Sequence, residues 1–145
     1  MENNQAEDRR LKAEGERQKA KGRVLMILTR HVGREKAIGM GELYEQVYGE
    51  RWHNRINDTR ELRRVITELR YEGSLIGETR SKSGGGYYLA RSVSELNSFF
   101  DKRKREALKK LDLISKMKKI GLPELMGQMI MNLTAQNEPQ TDPPK

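Results

Sequence analysis

The residues of this chain best equipped to act on another molecule are arginines. Arg60, Arg63 and Arg64 fall in one short stretch with Thr59 and Thr67. A guanidinium is a planar fork of donors that fits two acceptors on a guanine edge or the oxygens of a phosphate. Arg80, Lys82 and Ser83 stand beside three successive glycines, Gly84–Gly86, where small residues let a backbone come close to a ligand. Catalytic chemistry has no comparable set. The 145 residues include no cysteine and two histidines, His31 and His53, which removes thiol nucleophiles and leaves too few ligands for a zinc site without carboxylate help. No Walker-type loop, HExxH, nucleophile elbow or paired-carboxylate motif is present, and Gly84–Gly86 is not followed by a lysine and a helix. The expectation is a binding protein, not an enzyme, with no cofactor and no metal.

Charge supports a polyanionic partner. The formal net charge is +8. It is zero over residues 1–20, +1 over 21–50, +4 over 51–91, +5 over 92–122 and −2 over 123–145. A positive field concentrated in the centre and in the segment after it favours nucleic acid. No apolar run approaches the roughly 18 residues of a membrane span, and the start of the chain is polar. A cytoplasmic location without membrane contact is therefore expected. Hydrophobic and charged residues each make up 34%, against about 45–50% and about 25% in a typical globular domain. One small core with exposed extensions follows.

Several elements must position those arginines. Residues 1–20 have no face to bury and read as a polar arm, disordered or a frayed helix. Val24, Leu25, Ile27, Leu28 and Val32 lie on one helical face, with Gly33 as a stop. Met40, Leu43, Tyr44, Val47 and Tyr48 repeat at three and four and end at Gly49. Residues 50–57 have no period, and Trp52 with Ile56 should pin them to the core. Asn57 or Asp58 should cap a helix over 58–72 whose inner stripe is Leu62, Val65, Ile66 and Leu69. Thr59, Arg60, Arg63, Arg64 and Thr67 are then free to point outward, with Arg70 near the far end.

Two β-like runs, Leu75–Thr79 and Tyr87–Ala90, flank a turn that should include the three glycines. Ser92 and Glu95 have capping-box spacing and open a long helix with Val93, Leu96, Phe99, Phe100, Ala107, Leu111 and Ile114 close to one stripe. Gly121 stops it, and Pro123 begins a last helix with Leu125, Met126, Met129, Ile130 and Leu133. The proline-rich residues 134–145 read as a disordered tail.

Three helices followed by a hairpin and a further helix match the demands of a winged helix-turn-helix, in which the third helix enters the major groove. The motif resembles the biotin-repressor/DeoR-like type of that family. The residues carrying the resemblance are Arg63 or Arg64, Ile66, Leu69, Arg70, Gly73, Ile76, Gly86, Tyr87 or Tyr88, and Leu89. Small phage- or prophage-encoded winged-helix proteins are similar, with Tyr-Tyr-Leu before a Ser-x-x-Glu-Leu helix, as at Ser92–Leu96. The resemblance spans about residues 22–100 and departs at the connection from Gly49 to Asn57, which is longer than the family's tight turn.

It implies a mainly α fold with a small β-hairpin: a winged helix over 21–91, a helical extension over 92–133 and a tail over 134–145. It also implies sequence-specific duplex DNA binding and transcription regulation of phage or plasmid type. Thr59, Arg60, Arg63, Arg64 and Thr67 would read the groove from helix 58–72. Arg80, Lys82 and Ser83 would contact the backbone or minor groove from a wing at 79–87. Arg51, Arg55, Lys102 and Arg105 are candidate phosphate contacts. Phe100, Ala107, Leu111 and Ile114 are candidates for homodimer pairing, and 123–133 for docking a protein. The alternative is a winged-helix protein-interaction module of a replication or assembly complex, acting through the C-terminal apolar helices. RNA binding ranks below both, because it wants exposed stacking aromatics and aromatics are only 6% of the chain.

Overall fold

The computed structural model describes residues 2–54, 56–81 and 84–137. Among them are five α-helices and one three-stranded antiparallel sheet. In chain order these are α1 (Glu2–Leu28), β1 (Ile38–Gly39), α2 (Met40–Tyr48), α3 (Thr59–Tyr71), β2 (Ile76–Ser81), β3 (Gly84–Leu89), α4 (Asn97–Lys118) and α5 (Leu122–Gln136). The chain divides into two compact units, Met1–Phe99 and Phe100–Lys145.

In the first unit each helix gives one stripe to a shared core. α1 supplies Ala20, Val24 and Leu28, α2 supplies Leu43, Tyr44 and Val47, and α3 supplies Leu62, Val65, Ile66 and Leu69. The sheet adds Ile38, Ile76 and Tyr87. Each stripe repeats at three and four residues, as the helical period requires. Leu28, Leu62 and Ile66 are fully buried, and burying such a side chain contributes roughly 1.5–3 kcal/mol. Four such residues on α3 fix its rotation and so decide which of its side chains face water.

α1 is longer than its apolar stripe. It runs as one continuous helix from Glu2, though its first buried residue is Ala20. It ends at Leu28, short of Val32, which instead forms a single bridge to Leu89. Apolar burial does not explain the turns before Ala20, and ion pairs described below supply part of the anchorage.

The sheet order is β1-β3-β2. β2 pairs with β3 from Ile76↔Leu89 to Ser81↔Gly84. Gly84–Gly86 therefore belong to a strand and not to the turn expected for them. Among the described glycines, positive φ occurs at Gly33, Gly49 and Gly73 instead. Gly86 serves close approach: a Cβ there would stand 2.6 Å from the Ile38 carbonyl oxygen. Its lack of a side chain lets β1 pair through Ile38↔Tyr87 and Gly39↔Gly86. Tyr87 and Tyr88 are buried.

Two expected caps are replaced by other bonds. Ser92 makes no side-chain cap bond. Glu95 instead accepts the Arg91 N–H at 2.7 Å and the Arg34 N–H at 3.1 Å, and α4 opens after a 3-10 turn at Val93–Leu96. Asp58 occupies the position before α3 without capping it; its carboxylate turns back into the preceding loop.

In the second unit α4 stops at Lys118, and Lys119 adopts a left-handed φ of 57°. The Ile120 N–H closes the end on the Ser115 carbonyl at 3.1 Å. Gly121 precedes α5, with Pro123 in its first turn. α5 continues to Gln136, beyond the boundary at 133 that the sequence suggested; residues 138–145 lie outside the described part. Ser115 and Leu125 are the buried residues described in this unit, while Ile114, Met117, Met129, Ile130 and Leu133 are exposed. No helix among the described residues is long and apolar enough to cross a membrane.

Candidate nucleic-acid interface

α3 sorts its charges by face. Arg60, Arg64, Thr67 and Tyr71 are separated by four, three and four residues, which puts them in one row on the helix surface, and all four are exposed. Tyr71 is 90% exposed. Arg63 flanks the row and is also exposed. Glu61, Glu68 and Glu72, at spacings of seven and four, lie on a different row. That row faces α1: Arg17 Nε is 2.8 Å from Glu61, and Lys21 Nζ is 3.0 Å from Glu68 and 2.5 Å from Glu72. The hydrogen bond from Lys21 holds the Glu68 carboxyl below the usual carboxylate range. The bonds to Glu72 and Glu68 push the Lys21 ammonium above its ordinary value.

The cations of the exposed row have lighter ties. Arg60 reaches Asn57 Oδ1 at 3.4 Å. Arg63 donates to the Ile56 carbonyl at 2.7 Å and to the Thr59 carbonyl at 3.4 Å. Arg64 meets Glu68 at 3.3 Å with its side chain 59% exposed, the sort of surface pair that contributes about 0–1 kcal/mol. The Thr67 hydroxyl donates to the Arg63 carbonyl. Thr59 does not belong to this face. It is 1% exposed, because it opens α3 on the same side as Leu62 and Ile66, and so points inward, not outward as the sequence suggested. Arg70 has a structural role: its Nε donates to the Ile76 carbonyl at 2.9 Å and its guanidinium lies 4.8 Å from the Phe99 ring centre.

The described residues of the connection before α3 are tied together by two side chains. Asp58 Oδ2 accepts the N–H groups of His53 and Asn54 at 2.7 and 2.8 Å. Asn54 Oδ1 accepts those of Ile56 and Asn57 at 3.0 and 3.1 Å. The Asn54 and His53 N–H groups hold the Asp58 carboxyl below its ordinary value. Trp52 packs against the core, and its indole nitrogen would be 2.5 Å from a Cβ at Gly41. Ile56, expected beside it, is exposed instead.

Of the remaining candidates, Arg80 is exposed on β2 opposite Gly85, whereas Lys82, Ser83 and Arg55 lie outside the described residues. Arg51 is exposed, 3.9 Å from Glu45. On α4, Lys102 is half-buried and Arg105 exposed; Phe100 and Leu111 are half-buried, Ala107 and Ile114 exposed. Among the described residues no group of three or more His, Cys, Asp or Glu side chains could hold a metal ion. No family model, curated protein or solved structure matches this chain.

Sequence reasoning missed Tyr71 and the pair Arg17 and Lys21. Tyr71 was legible as the next position in the row after Thr67. Arg17 and Lys21 carried no local signal, since their partners lie more than forty residues along the chain.

Proposed function

We propose that the protein binds duplex DNA, with α3 as the helix that enters the major groove and the β2–β3 hairpin as a wing on the backbone or minor groove. The observation that supports this best is the sorting of charge on α3. Arg60, Arg63 and Arg64 share an exposed face with Thr67 and Tyr71, while Glu61 and Glu68, with Glu72 just past the helix end, are drawn to Arg17 and Lys21 on another helix. A polyanion meeting that face encounters cations with few competing carboxylates. Arg60, Arg63 and Arg64 are the candidate base and phosphate contacts, and Arg80 a backbone contact. The role that fits is regulation of transcription by occupying a site. Two copies would pair through the exposed apolar residues of α4 and α5, setting two such units on neighbouring half-sites.

Titration of a labelled duplex by fluorescence anisotropy, after selection of bound sequences from a random pool, tests the proposal. Binding that weakens steeply with salt and a selected palindrome are the expected results. Absence of duplex binding at low ionic strength overturns it. The exposed apolar faces of α4 and α5 favour a second reading, in which the protein is an assembly module. Light scattering on an Ile114→Glu variant separates the two. Loss of a dimer together with loss of DNA affinity fits the first, whereas a wild type that is monomeric and indifferent to DNA fits the second.

A further inference from the structure

α4 shows a charge pattern of its own. Each acid of the helix has a cation from the same helix: Lys104 lies 4.0 Å from Asp101, Arg103 3.3 Å from Glu106 and Lys116 2.6 Å from Asp112. Lys102, Arg105 and Lys109, at spacings of three and four, share one face and have no acid within ion-pair distance among the described residues. The acids three or four positions from them along the helix are Asp101, Glu106 and Asp112, which Lys104, Arg103 and Lys116 engage. α5 offers one acid, Glu124. From Lys102 to Lys109 the helix rises about 10 Å, close to three phosphate-to-phosphate steps along one strand of B-DNA.

We infer that this row is a second DNA contact, a backbone track that binds phosphates without reading bases. The inference rests on the duplex-binding reading of α3 and gives α4 a separate role, the supply of sequence-independent affinity, where α3 supplies preference. Cations that touch only phosphate release counterions and leave discrimination untouched.

The test is the triple variant Lys102→Gln/Arg105→Gln/Lys109→Gln, with circular dichroism to establish that its helices and melting match the wild type. Affinity for the selected duplex and for a scrambled duplex is measured across a salt series. The slope of log affinity against log salt should shrink by about 2.7, near 0.9 for each phosphate no longer neutralised. A fourfold rise in salt then costs the variant about 40-fold less affinity than it costs the wild type. The ratio between selected and scrambled duplexes should not change, whereas Arg64→Ala should lower that ratio. A folded variant whose salt slope equals the wild type's overturns the track and leaves the α3 reading standing, as does a variant in which only the ratio changes. A wild type that ignores both duplexes removes the reading and the track together.

Discussion

α3 and α4 are both cation-rich helices, yet they separate their charges by different means. α3 buries five of its thirteen residues, and its acids are drawn off by Arg17 and Lys21, which belong to a helix distant in sequence. Ser115 is the buried residue described on α4, and its acids are neutralised by neighbours three or four positions away. Burial and long-range pairing fix the rotation of α3, which the base contacts proposed for it would require. Local pairing on α4 gives no such long-range anchorage, and the phosphate contacts proposed for it would need none.

The widest gap between the two helices should appear in stability. Leu62→Ala removes a fully buried side chain from α3 and should cost about 2–5 kcal/mol, read from the urea midpoint. Ile114→Ala on α4 should cost less than about 1 kcal/mol in a monomer; a large loss that grows with dilution would instead reveal a partner on that face. Next in size, Arg64→Ala should weaken binding to a selected duplex by about 1–3 kcal/mol and flatten base preference. An equal loss on every sequence would reduce α3 to the status proposed for α4.

Arg17→Ala should have a smaller and more informative effect. It touches no proposed DNA contact, yet it frees Glu61 beside the arginine face. Duplex affinity should fall a few-fold, most visibly at low salt, while the selected-to-scrambled ratio holds. Affinity equal to wild type would mean that the sorting of acids has no bearing on binding.

The least of these effects is a dependence on acid. Asp58 and Glu68 have folded-state pKa values below their ordinary ones. Their contribution is therefore complete above the usual carboxylate range and fades as pH falls through the lowered values. Trp52 fluorescence should report release of the 53–58 loop on acidification. Asp58→Asn should remove that part of the pH response and leave the part due to Glu68.

The interior of the first unit was legible because periodicity records burial. The stripes of α2 and α3 were readable at the positions that turned out buried, and Gly49 marked the end of α2 through its left-handed φ. Thr59 was misplaced because a hydroxyl at a helix start carries no periodic signal of its own. The full length of α1 was hidden because its turns before Ala20 carry no buried stripe, and the ion pairs from Arg17 have partners far along the chain. Gly84–Gly86 looked like a turn because flexibility is a local property, whereas strand pairing with β1 depends on an element of two residues. Of the candidate interface, the arginines were visible by type. The row they share with Tyr71, and the reason the acids are absent from it, required the fold.

Gly86 has a last consequence. Any residue with a β-carbon there would push the short first strand off its neighbour and leave a bare row of amide and carbonyl groups along the sheet. Such an edge invites another chain to complete it. A single methyl at this position should make the protein stack through that edge, seen as light scattering that rises while helical circular dichroism is unchanged.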